Sequence, residues 1–485
     1  MRLNHKIILS FLGLLLMLSG LLMALSIIPS VYFKDGVTLQ LVIASVATFC
    51  SGGLLYLLNR GSSRNIGKRD GYLIVTLGWM VMSIFGSLPF LLTGSISHVP
   101  DAIFESISGF TTTGASILND IESMPEGVLL WRSTTHWIGG MGIIVLTIAI
   151  LPLLGIGGMQ LYSAEAPGIG GEKLHPRITQ TAKRLWLIYV GMTIAETFAL
   201  RLAGMTTFDA VNHAFATVST GGFSTKNLSI AYWNDNHAIQ WIIIVFMFLA
   251  GINFSLIYYF LRGSWKKMIG DAEFKFYALI VVIMTLVITG NVLAHPPAEG
   301  WDYPLRDALF QVLGTITTTG FVTADLTVHP MLITLFFMML FLGGSAGSTS
   351  GGMKLIRHLV ILKNSALEFR RLMHPNAVLP VRINQSSVSS KILFNTMAFM
   401  IVYFTIFILG AVVMSISGED FLTSIGSSAS AIGNVGPGLG KVCPTCNYAG
   451  LTSFSKLFLS LLMLVGRLEI FTVIIVLTPS FWRRT

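Results

Sequence analysis

Four short segments of this 485-residue chain carry residue types that can strip water from a bare cation: Thr111-Thr112-Thr113-Gly114, Ser219-Thr220-Gly221-Gly222, Thr317-Thr318-Thr319-Gly320 and Gly433-Asn434-Val435-Gly436. Each lies between two long apolar stretches, where residues so small and polar fill no hydrocarbon core. Their backbone carbonyls and hydroxyls can instead line a narrow passage, and four such loops about one axis can replace an ion's hydration shell. The chemistry they point to is cation coordination in a channel or channel-like transporter.

The elements that must position these segments are legible in their spacing. Asp101-Ala102-Ile103, Asp209-Ala210-Val211 and Asp307-Ala308-Leu309 each place an aspartate thirteen residues before a final glycine, at Gly114, Gly222 and Gly320. This predicts a short helix whose aspartate caps the free N–H groups at the outer surface and suits the positive end of the dipole. About nine or ten residues, at about 1.5 Å each, then descend into the membrane. The helix C-terminus, with its partial negative charge, faces the bilayer centre. The chain returns through the Thr/Gly segment, where glycine permits positive φ and close backbone approach. Irregular backbone at that depth is tolerated only in a water-filled cavity or inside protein. The fourth copy drifts, with Asp420 sixteen residues before Gly436 and Val435-Gly436-Pro437-Gly438 in place of the threonine-rich form. Final glycines recur at intervals of 108, 98 and 116 residues, so the unit is outer helix, pore helix, filter strand, inner helix. Such repeats commonly place an ion site at their interface. The fold expected is an all-α polytopic membrane protein with four pseudo-symmetric helix–pore-loop–helix repeats around a central pore, plus two N-terminal helices. The divisions fall at 1–69, 70–170, 171–270, 271–385 and 386–485.

Composition agrees with a membrane location. The chain is 53% hydrophobic and 11% charged, with mean hydropathy +0.75, whereas soluble domains carry about 25% charged residues. Runs long enough to cross about 30 Å of hydrocarbon fall near 7–28, 37–58, 71–93, 133–154, 183–204, 238–261, 275–295, 330–343 continuing into 353–362, 392–416 and 455–478, with one visible interruption. The first follows basic residues as a signal peptide would, but its length favours a retained helix. Alternate connections, with both termini, hold 23 of the 31 Lys and Arg, which places the termini in the cytoplasm. The net charge of +9 therefore needs no nucleic-acid partner. The opposite face carries 14 of the 22 Asp and Glu and would concentrate cations at an outer mouth.

The Thr-Thr-Thr-Gly and Asn-Val-Gly-Pro-Gly segments, in four pore-loop units on one chain, resemble the Trk/Ktr/HKT potassium uptake superfamily. Two leading helices and Arg467-Leu468-Glu469 in the last inner helix make the chain similar to its bacterial TrkH-type membrane subunits, over about 70–478. The resemblance implies a potassium-selective, homodimeric pore in the bacterial inner membrane, gated by cytosolic nucleotide-binding subunits of the TrkA type. Potassium is then the transported ion, held at the filter residues; no cofactor is bound covalently, and nucleotide sits only on the partner. In this family, glycine at the key filter position accompanies potassium selectivity. Gly114, Gly222, Gly320 and Gly436 thus imply passage of potassium and rubidium.

Two candidate gates lie below the filter. Gly343-Gly344-Ser345-Ala346-Gly347-Ser348-Thr349-Ser350-Gly351-Gly352 interrupts the third inner helix with five glycines in ten residues, each costing about 1 kcal/mol relative to alanine in a helix. A cytoplasmic linker is the plainer reading. Too few apolar residues precede the run to complete a crossing, however, and relatives carry an intramembrane gating loop at this place. Arg467 sits thirteen residues into the last apolar run, where an unpaired charge is costly. It reads either as an electrostatic barrier to cations facing the pore or as a packing ion pair with Glu469 or Glu196. Lys354–Arg371 is basic and fits lipid headgroups or, by analogy, docking of gating subunits. Trp131, His136 and Trp137 read as an interfacial aromatic belt.

Other chemistry is poorly supported. Cys50 lies in an apolar run, and Cys443 and Cys446 form one CxxC, too few ligands for structural zinc; a local disulfide or no bond at all fits better. There is no P-loop, HExxH or nucleophile motif, so an enzyme is not expected. The serious alternative is a proton-coupled potassium symporter using Glu196 or Glu469.

Overall fold

The computed structural model describes residues 3–60, 67–142, 178–296, 301–377, 379–384 and 386–483. The lower half of the span expected over 133–154, most of the connection that follows it, and the division at 170 lie outside the described residues. Among the described residues six helices are long and apolar enough to cross a membrane: His5–Phe33, Thr38–Leu58, Arg69–Leu92, Ala182–Leu202, Ala272–Ala294 and Ser390–Ile416. The chain is an all-α polytopic membrane protein, with one small hairpin pairing Arg382–Ile383 with Ser386–Ser387. The outer helices keep large apolar side chains exposed, such as Leu279, Val282 and Leu286, because lipid is their solvent. The two leading helices cross closely at glycines: a Cβ on Gly52 would lie 2.5 Å from the Gly13 carbonyl oxygen.

Four short helices follow outer helices at the expected places: Val99–Phe110, Thr207–Val218, Pro304–Ile316 and Phe421–Gly433. At 12 or 13 residues they reach about 18–20 Å, roughly the depth needed to arrive near mid-membrane. The expected aspartate caps need correction. Asp101, Asp209 and Asp307 lie inside the first turn rather than at the cap. Asp209 accepts a bond from the cap residue Thr206, while Asp101 pairs with Lys456 at 2.8 Å. Asp420 does cap its helix, accepting from the Thr423 amide, and the Thr423 donors hold its carboxyl below the usual range. Thr423 itself stands thirteen residues before Gly436. The fourth copy is therefore no longer than the others; its acid has moved back by three residues.

The inner helices also differ from expectation. The sequence shows one interruption, after Leu342; among the described residues two more inner helices break. His237–Ala250 meets Phe254–Leu261 at 107°, and Ser453–Arg467 meets Phe471–Leu477 at 115°. At the first bend the Asn253 side chain accepts from the Ser255 amide, starting a new helix. At the second, Glu469 and Ile470 adopt φ of 55° and 52°, a conformation that ends an α-helix and is costly for a β-branched residue.

Candidate functional site

The four Thr/Gly segments close on one another in cyclic order. A Cβ on Gly114 would lie 2.1 Å from the Gly221 carbonyl oxygen, and one on Gly222 would lie 1.9 Å from that of Thr319. One on Gly320 would lie 2.3 Å from the Val435 oxygen, and one on Gly436 would lie 2.4 Å from that of Thr113. Each final glycine thus abuts the carbonyl that precedes the next repeat's final glycine, and the fourth repeat returns to the first. The backbone repeats as well. Thr112, Thr220, Thr318 and Asn434 have φ between 52° and 58°, and the four final glycines between 75° and 98°. Asn434 is therefore the counterpart of the central threonines, and Gly436 is in register despite its divergent neighbours. No side chain fits at the glycines on either ground, φ or space.

The hydroxyls play a different part from the one expected of them. Thr111, Ser219 and Thr317 donate to the carbonyls of Ile107, Phe215 and Leu313, ending their pore helices. Thr113 and Thr319 each share a bond with the first threonine of their own segment. Asn434 donates to Thr113 Oγ1 and to the Met463 carbonyl, joining the fourth segment to the first. Most of the hydroxyls that follow the pore helices are thus occupied by protein, which leaves backbone carbonyls as the main oxygens for a cation.

The glycine-rich run is an ordered hairpin loop below this ring. Its base is closed by bonds from the Gly343 amide to Met353 and from the Leu355 amide to Gly344. It docks on the bend of the second inner helix, where the Ser345 amide donates to Gly251 and the Phe254 amide to Gly347. Its returning limb touches the ring and the end of the second pore helix: the Gly351 amide donates to Thr318 Oγ1 at 2.7 Å, and the Thr349 hydroxyl to the Val218 carbonyl at 3.0 Å. Arg467 ends the helix Ser453–Arg467 at the second bend. Its guanidinium donates to Thr349 O at 3.0 Å and Gly139 O at 2.6 Å. Arg467 therefore ties the loop to the first inner helix. The ion pair recorded for Glu469 is with Arg357, on the helix that leaves the loop. Below lies a cavity of about 180 Å³ lined by Gly140, Thr349, Gly351, Arg467, Glu469 and Arg357.

Several contributors carried no sequence signal. Glu273 Oε1 accepts from the amides of Ala346 and Ile356, at 2.7 and 3.2 Å, so one carboxylate ties the loop to the first turn of the helix that leaves it. Converting it to alanine removes the acceptor of one buried and one half-buried N–H group, and a buried N–H left unpaired costs about 1–3 kcal/mol. Glu273→Ala is expected to lower the melting temperature of the purified chain; an unchanged melting temperature in folded protein would contradict this. The aromatic belt needs correction too. Trp131 and His136 are wholly buried; Trp131 donates to Gly86 O and His136 stacks on Phe223. They pack the back of the ring rather than a lipid interface. Glu196 is also fully buried, on the helix packed beside the second pore helix. Cys443 and Cys446 form a disulfide outside the ring, while Cys50 is free and exposed. Among the described residues no cluster of His, Cys, Asp or Glu could hold a metal ion.

Comparison with known proteins places this geometry among relatives. The TrkH family model, described as a cation transport protein, matches residues 38–484. The chain is 42% identical over 488 residues to the Trk system potassium uptake protein TrkH of Halomonas elongata, covering 99% of each. It is 38% identical to the Trk system potassium uptake protein TrkH of Escherichia coli K12, covering 99% of this chain and 100% of that protein. The crystal structure of the potassium transporter TrkH from Vibrio parahaemolyticus superposes with a TM-score of 0.89 at 38% identity, over 99% of this chain and 100% of that one.

Proposed function

We propose, for a chain that belongs to the TrkH family of cation transport proteins, selective uptake of potassium and rubidium across a bacterial inner membrane. The relatives named above are potassium uptake proteins, and the reading is of a transporter rather than an enzyme. The observation that supports it most is the closed ring of glycine-to-carbonyl contacts. The ring gives a desolvated cation a set of fixed oxygens, with pore-helix C-termini adding partial negative charge. Its four segments belong to the four units 70–170, 171–270, 271–385 and 386–485, which follow the two leading helices of 1–69.

In this reading the loop Gly343–Gly352 and Arg467 form the gate. The loop restricts the path between ring and cavity, and the guanidinium places a positive charge there. Movement of the loop opens the path. The helix Leu355–Met373 hangs directly from the loop and ends in Arg370 and Arg371, a surface suited to cytosolic nucleotide-binding subunits of the TrkA type. Two copies of the chain pair in the membrane, with lipid as the surrounding partner and both termini in the cytoplasm. No nucleotide or other cofactor is bound by the chain itself.

Rubidium uptake into vesicles holding the purified chain tests this reading. Uptake that potassium blocks, that sodium leaves intact and that ignores an imposed pH gradient supports a selective passive pore. Uptake that requires the gradient would replace that pore with proton symport and direct attention to Glu196, whose carboxyl is fully buried.

A further inference from the structure

The four pore helices share a position that the ring does not include. Nine residues before each final glycine stand Glu105, His213, Gln311 and Ser427, all buried. Three of them reach across to the strand that leaves the ring. Glu105 accepts from the Ser116 hydroxyl and the Ile117 amide, both at 3.0 Å. His213 Nε2 bonds Ser224 Oγ at 2.9 Å. Gln311 donates to Ala324 O at 2.7 Å. In the fourth repeat Ser427 is bonded within its own helix, and the Tyr448 hydroxyl instead binds the Gly436 carbonyl at 2.6 Å. The braces therefore stand in equivalent places but differ in chemistry.

The brace of the first repeat also crosses to the second. Arg132, on the first inner helix, donates from Nε to Glu105 Oε1 at 2.7 Å and from Nη1 to Ser224 O at 2.9 Å. Its guanidinium carbon lies 3.5 Å over the Phe223 ring. Both charged side chains are buried, with 3% and 0% exposure. Ser224 is shared, since its carbonyl takes Arg132 and its hydroxyl takes His213. One continuous network thus joins the strand after Gly114 to the strand after Gly222. A buried ion pair is weak evidence for stability, because hydrophobic replacements of similar volume often do as well. What this pair supplies is direction, since the planar guanidinium fixes two acceptors and a ring face at once.

We propose that Glu105 and Arg132 are positioning residues that hold the first and second segments of the ring at the spacing that separates potassium from sodium. This rests on the reading of the ring as the selectivity filter. The Gly221 carbonyl lies against Gly114, and Arg132 fixes the strand three residues beyond it. A slack brace lets that carbonyl move and lets the ring close on a smaller ion.

The test uses the full chain in vesicles and reads the ratio of potassium to sodium that halves rubidium uptake. Arg132→Lys keeps the charge but loses the second bond and the stacking on Phe223. The double variant Glu105→Gln with Arg132→Met leaves no buried charge unpaired, and it carries the test where the single variant does not fold. In protein that elutes as the wild type does, discrimination is expected to fall about tenfold with rubidium flux retained, the loss typical of one charge-assisted hydrogen bond. A lowered melting temperature with unchanged discrimination would overturn the proposal and leave the pair a packing device. Gly222→Ser in the same assay separates the two readings. If it relaxes discrimination and the brace variants do not, only the brace fails. If it does not, the filter reading fails and the proposal falls with it.

Discussion

Replacing Gly222 by serine is expected to lower discrimination between potassium and sodium by about tenfold or more. The backbone at Gly222 has φ +83° and a Cβ there would lie 1.9 Å from the Thr319 carbonyl oxygen. A side chain in the left-handed region costs roughly 1–2 kcal/mol, and the overlap with a carbonyl adds to it. The least costly relief is for the Thr319 carbonyl to retreat, which opens the ring between its second and third segments. Since about 1.4 kcal/mol corresponds to a factor of ten, a difference of that size between the two ions produces the expected loss. Gly290 is the control: nothing lies within 4 Å of a Cβ built there, so Gly290→Ser should keep wild-type selectivity. Unchanged discrimination in folded Gly222→Ser protein would remove the ring from the selectivity account.

Replacing Arg467 by alanine is expected to raise basal rubidium flux, measured without any cytosolic partner, by about tenfold or more. The guanidinium ties Thr349 of the loop to Gly139 of the first inner helix. Hydrogen bonds to charged groups contribute about 1.5–3 kcal/mol each, so losing both shifts the balance between docked and displaced loop by a factor of ten at least. The positive charge below the ring is lost as well. Arg467→Lys separates these effects, because it keeps the charge and loses the fork that spans two acceptors. Its flux should fall between the wild type and Arg467→Ala. Folded Arg467→Ala protein with unchanged flux would contradict a gating role.

How much of this was legible depended on whether a residue's role is local or made across repeats. The ring segments could be found because glycine and threonine recur at one spacing from an aspartate, and the fourth segment could be found by its polarity. Its register could not, because Asp420 caps the helix while Thr423 stands at the spacing used elsewhere. Arg467 is visible because a charge deep in an apolar run is conspicuous. The carbonyls of Thr349 and Gly139 that accept from it were not, since they are distant in sequence, and Glu469, the residue that looks suited to pair with it, pairs with Arg357. The breaks at Gly251 and Leu468 are invisible to hydropathy, which reads apolar composition and not direction. Trp131 and His136 look like residues of an interface by type, yet packing behind the ring claims them. The braces were hidden for a related reason: Glu105, His213 and Gln311 are chemically unlike, so a search for similar residues passes over an equivalent position. A signal did exist in their common offset of nine residues from the final glycines.

The most direct measurement is diffraction from crystals of the chain grown in rubidium, with anomalous data collected at the rubidium absorption edge. The account predicts anomalous density within the ring bounded by the carbonyls of Thr113, Gly221, Thr319 and Val435, replaced when crystals are exchanged into potassium but retained in sodium. An empty ring in protein that still conducts rubidium, or density confined to another part of the molecule, would contradict it.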